Sequence, residues 1–182
     1  MGPMAETATV YHLSIELADI DRGVYDTFSI RLARHPSESA EYLLTRVLAY
    51  CLEYCPGILF TDGVSSGDEP AVLVRDDTGA ITAWIEIGMP DAARLHRGSK
   101  AAGRAAVYTH RSVPQLLAQL AGQRVHRGGE IPIYSFDRAF IDNVSARLDR
   151  RSTLSLSITE RHLYAEIDGA TFSTDIAEHR IA

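Results

Sequence analysis

Apolar and polar residues change period several times along this chain, and the changes mark its elements. Leu13, Ile15 and Leu17 alternate with Ser14 and Glu16, and Phe28, Ile30 and Leu32 alternate with Ser29, Arg31 and Ala33. Alternation of period two puts each set on one face of a strand, and Asp19 to Gly23 supplies turn residues, so a β-hairpin is predicted. From HisProSerGlu at 35–38 the spacing becomes helical, with Leu43, Leu44, Val47, Leu48, Cys51 and Leu52 on one face to about Tyr54. Pro36 and the acids suit a first turn.

Further on, Ile58 to Phe60 is a short apolar strand, and Val72 to Arg75 and Ile81 to Ile87 flank the turn AspAspThrGly. MetProAspAlaAla opens a helix to about Ala102. Then follow a strand at Ala105 to Thr109, a helix at Val113 to Ala121, a strand at Ile131 to Phe136 and a helix at Asp137 to Leu148. The tail from Leu154 to Phe172 alternates as a meander, with Leu154, Leu156 and Ile158 inward. The order helix, strand, strand, strand, helix, strand predicts an α/β core with a mixed sheet over about residues 35–136. The N-terminal hairpin (7–34) and C-terminal strands (153–173) add β-structure to this single domain.

The hairpin around AspAspThrGly has two registers. Pairing Arg75 with Ala80 sets Glu69 opposite Glu86; pairing Asp76 with Ala80, with Gly79 left-handed, sets Pro70 opposite Glu86. The first gathers Pro70, Val72, Val74, Ile81, Ala83, Ile85 and Ile87 on one wholly apolar face, and is adopted. Paired side chains lie with Cβ atoms about 5 Å apart, so two carboxylates would converge there and need a cation to offset their repulsion. Asp68, one residue earlier, is a further candidate ligand.

Charge adds to this. Between Asp62 and Asp91 stand seven acids and one base, Arg75; from Ala92 to Gly129 there is no acid, only Arg94, Arg97, Lys100, Arg104, Arg111, Arg124, Arg127 and three histidines. Arg94, Arg97 and Lys100 share a helix face at three-residue steps, with Arg104 slightly further round. A carboxylate pair facing such a stripe is the equipment of a metal-assisted phosphodiester site. Glu38 and Glu41 would line the same cleft. The net charge of −6 over 182 residues excludes a general, histone-like nucleic-acid binder but not a local basic groove. No apolar run reaches membrane-spanning length and the start lacks a signal-peptide pattern, so a soluble, cytoplasmic protein is expected. Cys51 and Cys55 read as reduced thiols. Ser65 and Ser66 lack a nucleophile elbow, no nucleotide-binding glycine motif occurs, and His35, His110 and His126 lack metal-ligand spacing.

LeuAlaArgHisProSerGlu (32–38), AspGluPro (68–70), TrpIleGluIleGlyMetProAsp (84–91) and the basic helix beyond resemble the YaeQ family over essentially the whole chain. The resemblance implies a variant of the PD-(D/E)XK nuclease fold, the restriction-endonuclease-like core. There, acids on two neighbouring strands bind magnesium and a lysine two residues later orients water. Glu86 matches the second acid. The ProAsp step falls on Pro70 and Ala71, so Asp68 or Glu69 would substitute. The lysine position is Gly88, leaving Arg97 or Lys100 to supply the cation.

Two functions compete. In a Mg²⁺- or Mn²⁺-dependent phosphodiesterase acting on nucleic acid, Glu69, Glu86 and Asp68 hold metal, Arg97 or Lys100 acts in catalysis, and Arg94, Arg97, Lys100 and Arg104 contact phosphate. In a regulatory protein on a degenerate nuclease core, the bases bind nucleic acid or an acidic protein without turnover. A small phosphorylated substrate is a weaker third reading.

Overall fold

The computed structural model describes residues 8–62 and 68–181. The expected hairpin forms from β1 (Thr9–Asp19) and β2 (Val24–Arg34), paired from Thr9 with Arg34 to Asp19 with Val24. After it come α1 (Ala40–Leu52), β3 (Ile58–Phe60), β4 (Val72–Arg75), β5 (Ile81–Ile87), α2 (Ala92–Ala101) and β6 (Arg104–Thr109). The chain continues with α3 (Val113–Leu120), a 3-10 turn at Gly128–Glu130, β7 (Pro132–Ser135), α4 (Arg138–Ser145), β8 (Arg151–Thr159), β9 (His162–Ile167), β10 (Ala170–Asp175) and β11 (Ala177–Arg180).

Two sheets result. One has the order β10-β9-β8-β1-β2 and is closed in its middle by parallel pairing of β1 with β8, which joins the two ends of the chain. The other runs β11-β7-β6-β5-β4-β3, with β5, β6 and β7 parallel and both flanks antiparallel. The parallel trio follows from helices α2 and α3 in the crossovers. The expected mixed α/β architecture is therefore present, with the terminal β-structure forming its own sheet. Strand β11, which covers the edge of β7, was not anticipated.

Burial explains the layering. Leu13, Ile15, Leu17, Leu154, Leu156 and Ile158 point inward from the five-stranded sheet onto α1 and α4, and α1 packs on the Val72, Val74, Ala83 and Ile85 face of the six-stranded sheet. A second core of Trp84, Leu95, Val107, Leu116 and Ile133 lies between that sheet's other face and helices α2 and α3. Cys51 is buried and Cys55 partly buried, both free thiols as expected. Helix α1 begins later than expected: Ser39 caps it, its hydroxyl accepting from the Tyr42 amide at 3.0 Å, so HisProSerGlu precedes the helix. No helix among the described residues is long and apolar enough to cross a membrane. Ser65 and Ser66 lie outside the described residues.

Candidate functional site

The register differs from the one adopted above. Val72 pairs with Ile85, Leu73 with Trp84 and Val74 with Ala83, and a bulge then shifts Arg75 onto Ile81. Counting back one residue, Ala71 rather than Glu69 is level with Glu86. The turn is the rejected one: the Asp76 amide donates to the Ala80 carbonyl at 2.9 Å, and Gly79 has φ +86°. Asp76 Oδ1 accepts from the Thr78 amide and hydroxyl and from the Ala80 amide, which fixes that turn. The extra residue, Thr82, is exposed and its hydroxyl reaches the Val74 carbonyl at 3.3 Å. Together the wider turn and the bulge slide the strands by two residues, which keeps every side chain on its expected face and separates the two glutamates.

Glu86 is 4% exposed, on the face of β5 that meets α2. Its carboxylate is fully engaged. Arg94 Nε donates to Oε2 at 2.8 Å, a terminal nitrogen of Arg94 donates to Oε1 at 3.1 Å, and Trp84 Nε1 donates to Oε1 at 3.0 Å. That same terminal nitrogen reaches the Glu69 backbone carbonyl at 2.8 Å. Asp91 caps α2 by accepting from the Arg94 amide at 2.8 Å, so the helix start aims Arg94 at β5. Its hydrogen bond to Glu86 raises the Arg94 pKa, opposing the effect of burial. A guanidinium thus takes the place between β4 and β5 where a metal was expected, and contact of Arg94 with phosphate is replaced by this ion pair. As arranged, Glu69 and Glu86 do not fit a divalent cation. Among the described residues no group of three or more His, Cys, Asp or Glu side chains is placed to hold one. Asp68 is exposed and Glu69 half-buried.

At the carboxyl end of β5 a second group of side chains gathers, which is where open α/β sheets offer crevices. Gly88, with φ +86°, brings the backbone beside Tyr42 and His110; a Cβ there would lie 3.7 Å and 3.8 Å from their rings. Those rings meet edge to face at 6.1 Å. Glu38 is buried, and neither of its carboxylate oxygens has a hydrogen-bond partner; His110 Nδ1 is likewise unpartnered. Burial raises the Glu38 pKa, against the opposing effects of Arg46, of the His35 backbone and of the nearby His35 and Arg34 charges. Burial also pushes Tyr42 to about 12, with Arg46, Glu38, Glu86 and Arg94 all acting on its hydroxyl. Arg46 is 1% exposed and donates to the Ala71 carbonyl at 3.1 Å and to that of Thr61, over the Phe60 ring. Glu41 is half-buried in the first turn of α1.

The basic stripe divides. Arg97 and Lys100 are exposed on α2. Arg104 is not on the helix: it opens β6 and pairs with Glu53 at 2.7 Å beside the Tyr134 hydroxyl, so it leaves the proposed phosphate surface. In its place the segment between α3 and β7 folds onto α2. The His126 amide donates to His96 Nδ1 at 3.0 Å, and the two rings lie edge to face at 6.3 Å. Burial lowers the His96 pKa, and Lys100, Arg124 and His126 lower it further, so these side chains lie near one imidazole. Nothing in the sequence pairs them: His126 lacks metal-ligand spacing and His96 is not singled out, since 30 residues separate the two and only the fold joins them.

Comparison with known proteins agrees with this architecture. A family model described as YaeQ protein matches residues 4–176. YaeQ of Escherichia coli (strain K12) is 32% identical over 166 residues, covering 91% of this chain and 92% of that protein. YaeQ of Salmonella typhi is 31% identical over 158 residues, covering 86% and 87%. The crystal structure of YaeQ from Xanthomonas axonopodis pv. citri superposes with a TM-score of 0.87 at 27% identity, over 97% of this chain and all (100%) of that one. That from Pseudomonas syringae gives 0.86 at 26% identity, over 96% and 97%. The chain belongs to the YaeQ family.

Proposed function

We propose that this protein binds nucleic acid through α2 and the 121–130 segment, on a core of restriction-endonuclease-like descent, without cleaving it. The observation that carries this reading is the Arg94–Glu86 pair. A carboxylate already neutralised by a guanidinium and an indole N–H neither needs nor readily accepts a metal ion. Meanwhile Lys100, Arg124, His96 and His126 draw together on one surface, with Arg97 on the same helix. Lysine and arginine side chains so placed exchange condensed counterions for phosphates. The test is a labelled nucleic acid incubated with the protein in chelator, Mg²⁺ or Mn²⁺. Binding at low salt that is indifferent to chelator, with intact nucleic acid throughout, is expected. Metal-dependent cleavage lost in Glu86→Ala overturns the reading, and failure of every nucleic acid to bind moves the patch to an acidic protein partner.

One observation favours a second reading, a Mg²⁺- or Mn²⁺-dependent phosphodiesterase. Glu38 is buried without a partner near Tyr42, on which Glu86 also acts. A buried carboxylate without a partner is a site awaiting a cation or a proton, and Arg94 would have to leave Glu86 for that second carboxylate to take part. This reading expects Mn²⁺ to raise the melting temperature, an effect absent in Glu38→Gln.

A further inference from the structure

The five-stranded sheet packs one face on α1 and α4, and its other face carries a groove of about 570 Å³. Registry across the strands sets the groove's side chains in rows. One row runs Tyr25, Ala18, Ser157, Tyr164 from β2 to β9. The next runs Thr27, Glu16, Ser155, Glu166, Thr171. Two tyrosines, 64% and 46% exposed, therefore stand as walls on either side of a floor of alanine and serine. Three strand steps separate them, roughly 14 Å, and two steps separate Glu16 from Glu166, roughly 10 Å.

Charge selects the ligand. Among the described residues, those lining the groove include Glu16, Glu166 and Asp26 and no lysine, arginine or histidine. Asp26 is level with inward-facing Leu17 and turns its carboxylate to the Tyr54 hydroxyl on the α1 side, 2.8 Å away, so it adds no charge to the groove. Glu16, in contrast, is oriented on the groove face by the Ser155 hydroxyl at 2.8 Å. The nearest base on this face is His162, one row beyond Tyr164, whose ring lies 4.8 Å from the Tyr164 ring and whose Nδ1 is taken up by Asp175 at 2.7 Å. On the other side the row Arg31, His12, Arg151 lies two rows away, past Ser14. Such a groove repels phosphate. It suits a flexible cation whose alkyl chain lies on the small floor, whose ammonium groups sit against the two carboxylates, and whose ends meet tyrosine faces.

We propose that this groove binds a linear aliphatic polyamine. The roughly 10 Å between carboxylates is the span of an extended triamine and exceeds that of a short diamine. A globular cation would reach only one carboxylate. The site is independent of the nucleic-acid surface, which lies on α2.

Titration calorimetry of the full chain with spermidine and with putrescine tests this. Spermidine is expected to bind with one-to-one stoichiometry and more tightly than putrescine. Affinity should fall about tenfold or more in the Glu16→Gln/Glu166→Gln double variant, since two ion pairs are lost, and also in Tyr164→Ala. It should be unchanged in Asp76→Asn/Asp77→Asn, which alters the exposed turn instead. All these positions are exposed, so circular dichroism should show unaltered folding. Absence of binding, equal loss in the turn variant, or putrescine binding as tightly as spermidine overturns the proposal. A trilysine peptide binding more tightly than spermidine overturns it too, and assigns the groove to a basic protein segment.

Discussion

Arg94 holds Glu86 by two hydrogen bonds, 2.8 and 3.1 Å long, one to each carboxylate oxygen. A fork of this kind is among the stronger side-chain interactions because both partners are charged and planar. Here it also ties α2 to β5 and, through the Glu69 carbonyl, to the start of β4. Removing the carboxylate strands the Arg94 head group and leaves the Trp84 indole N–H without its acceptor. Glu86→Ala should therefore cost about 2–3 kcal/mol of stability, and Glu86→Gln, which keeps an acceptor for Trp84, should cost less. Urea denaturation measures both. An unchanged midpoint in Glu86→Ala contradicts a structural role.

Gly98 sits where the Trp84 ring crosses α2. A Cβ at this position would come within 2.6 Å of three ring atoms, so either ring or helix must shift. Gly98→Ala should destabilise by about 1–3 kcal/mol through overpacking, despite alanine's better helix propensity. Because Trp84 is the only tryptophan, its fluorescence should report the displacement directly.

Glu38 makes stability fall with pH over a defined window. Burial raises its pKa in the folded state above the ordinary value of 4.5. Between that value and the folded one, the native chain holds more protons than the unfolded chain, so stability declines as pH rises through the window. Above it, the charge is buried without a partner. Glu38→Gln should thus gain about 1 kcal/mol at pH 7 and lose that gain below pH 4.5. Melting curves across this range, with parent and variant converging at the acid end, are the expected result.

His96 gives nucleic-acid binding the opposite slope. Burial, then Lys100, Arg124 and His126, lower its pKa below 6.5 in the free protein, so it is neutral at pH 7. Phosphate beside these groups removes the repulsion and favours the imidazolium, so binding takes up a proton and tightens as pH falls toward 6. Loss of folding stability accompanies the same fall, since protonating His96 in the free protein is unfavourable. Anisotropy titrations from pH 8 to 6 should show the affinity rise shrinking in His96→Gln.

Alternation made the strands and their buried faces readable in the sequence: Leu13, Ile15, Leu17, Val72, Val74 and Ile85 all face inward as expected. It could not set the pairing of β4 with β5. A slip of two residues leaves every side chain on its own face, so the apolar pattern is blind to it. The deciding residues were Asp76, whose side chain organises the turn, and Thr82, an exposed bulge residue with no compositional mark. Glu86 was singled out by its place in the β4–β5 hairpin and by the family resemblance, but its partner was not, because Arg94 looked like one more base in a stripe. Glu38 was legible only as an acid near a helix start; the enclosure of its carboxylate depends on Tyr42 and Arg46 packing around it. The joining of β1 to β8 was beyond reach, since parallel pairing of strands so far apart leaves no local signal.

The salt dependence of nucleic-acid binding tests the central claim most directly. Fluorescence anisotropy with a labelled duplex, in chelator, should give an affinity falling steeply with salt for the parent chain. In the Lys100→Ala/Arg124→Ala double variant the log–log slope should become shallower by about 1.8, or 0.9 per phosphate contact removed, while Glu86→Gln should keep the parent slope. An unchanged slope in the double variant, or duplex cleaved in Mn²⁺ by the parent and spared by Glu86→Gln, would contradict the account.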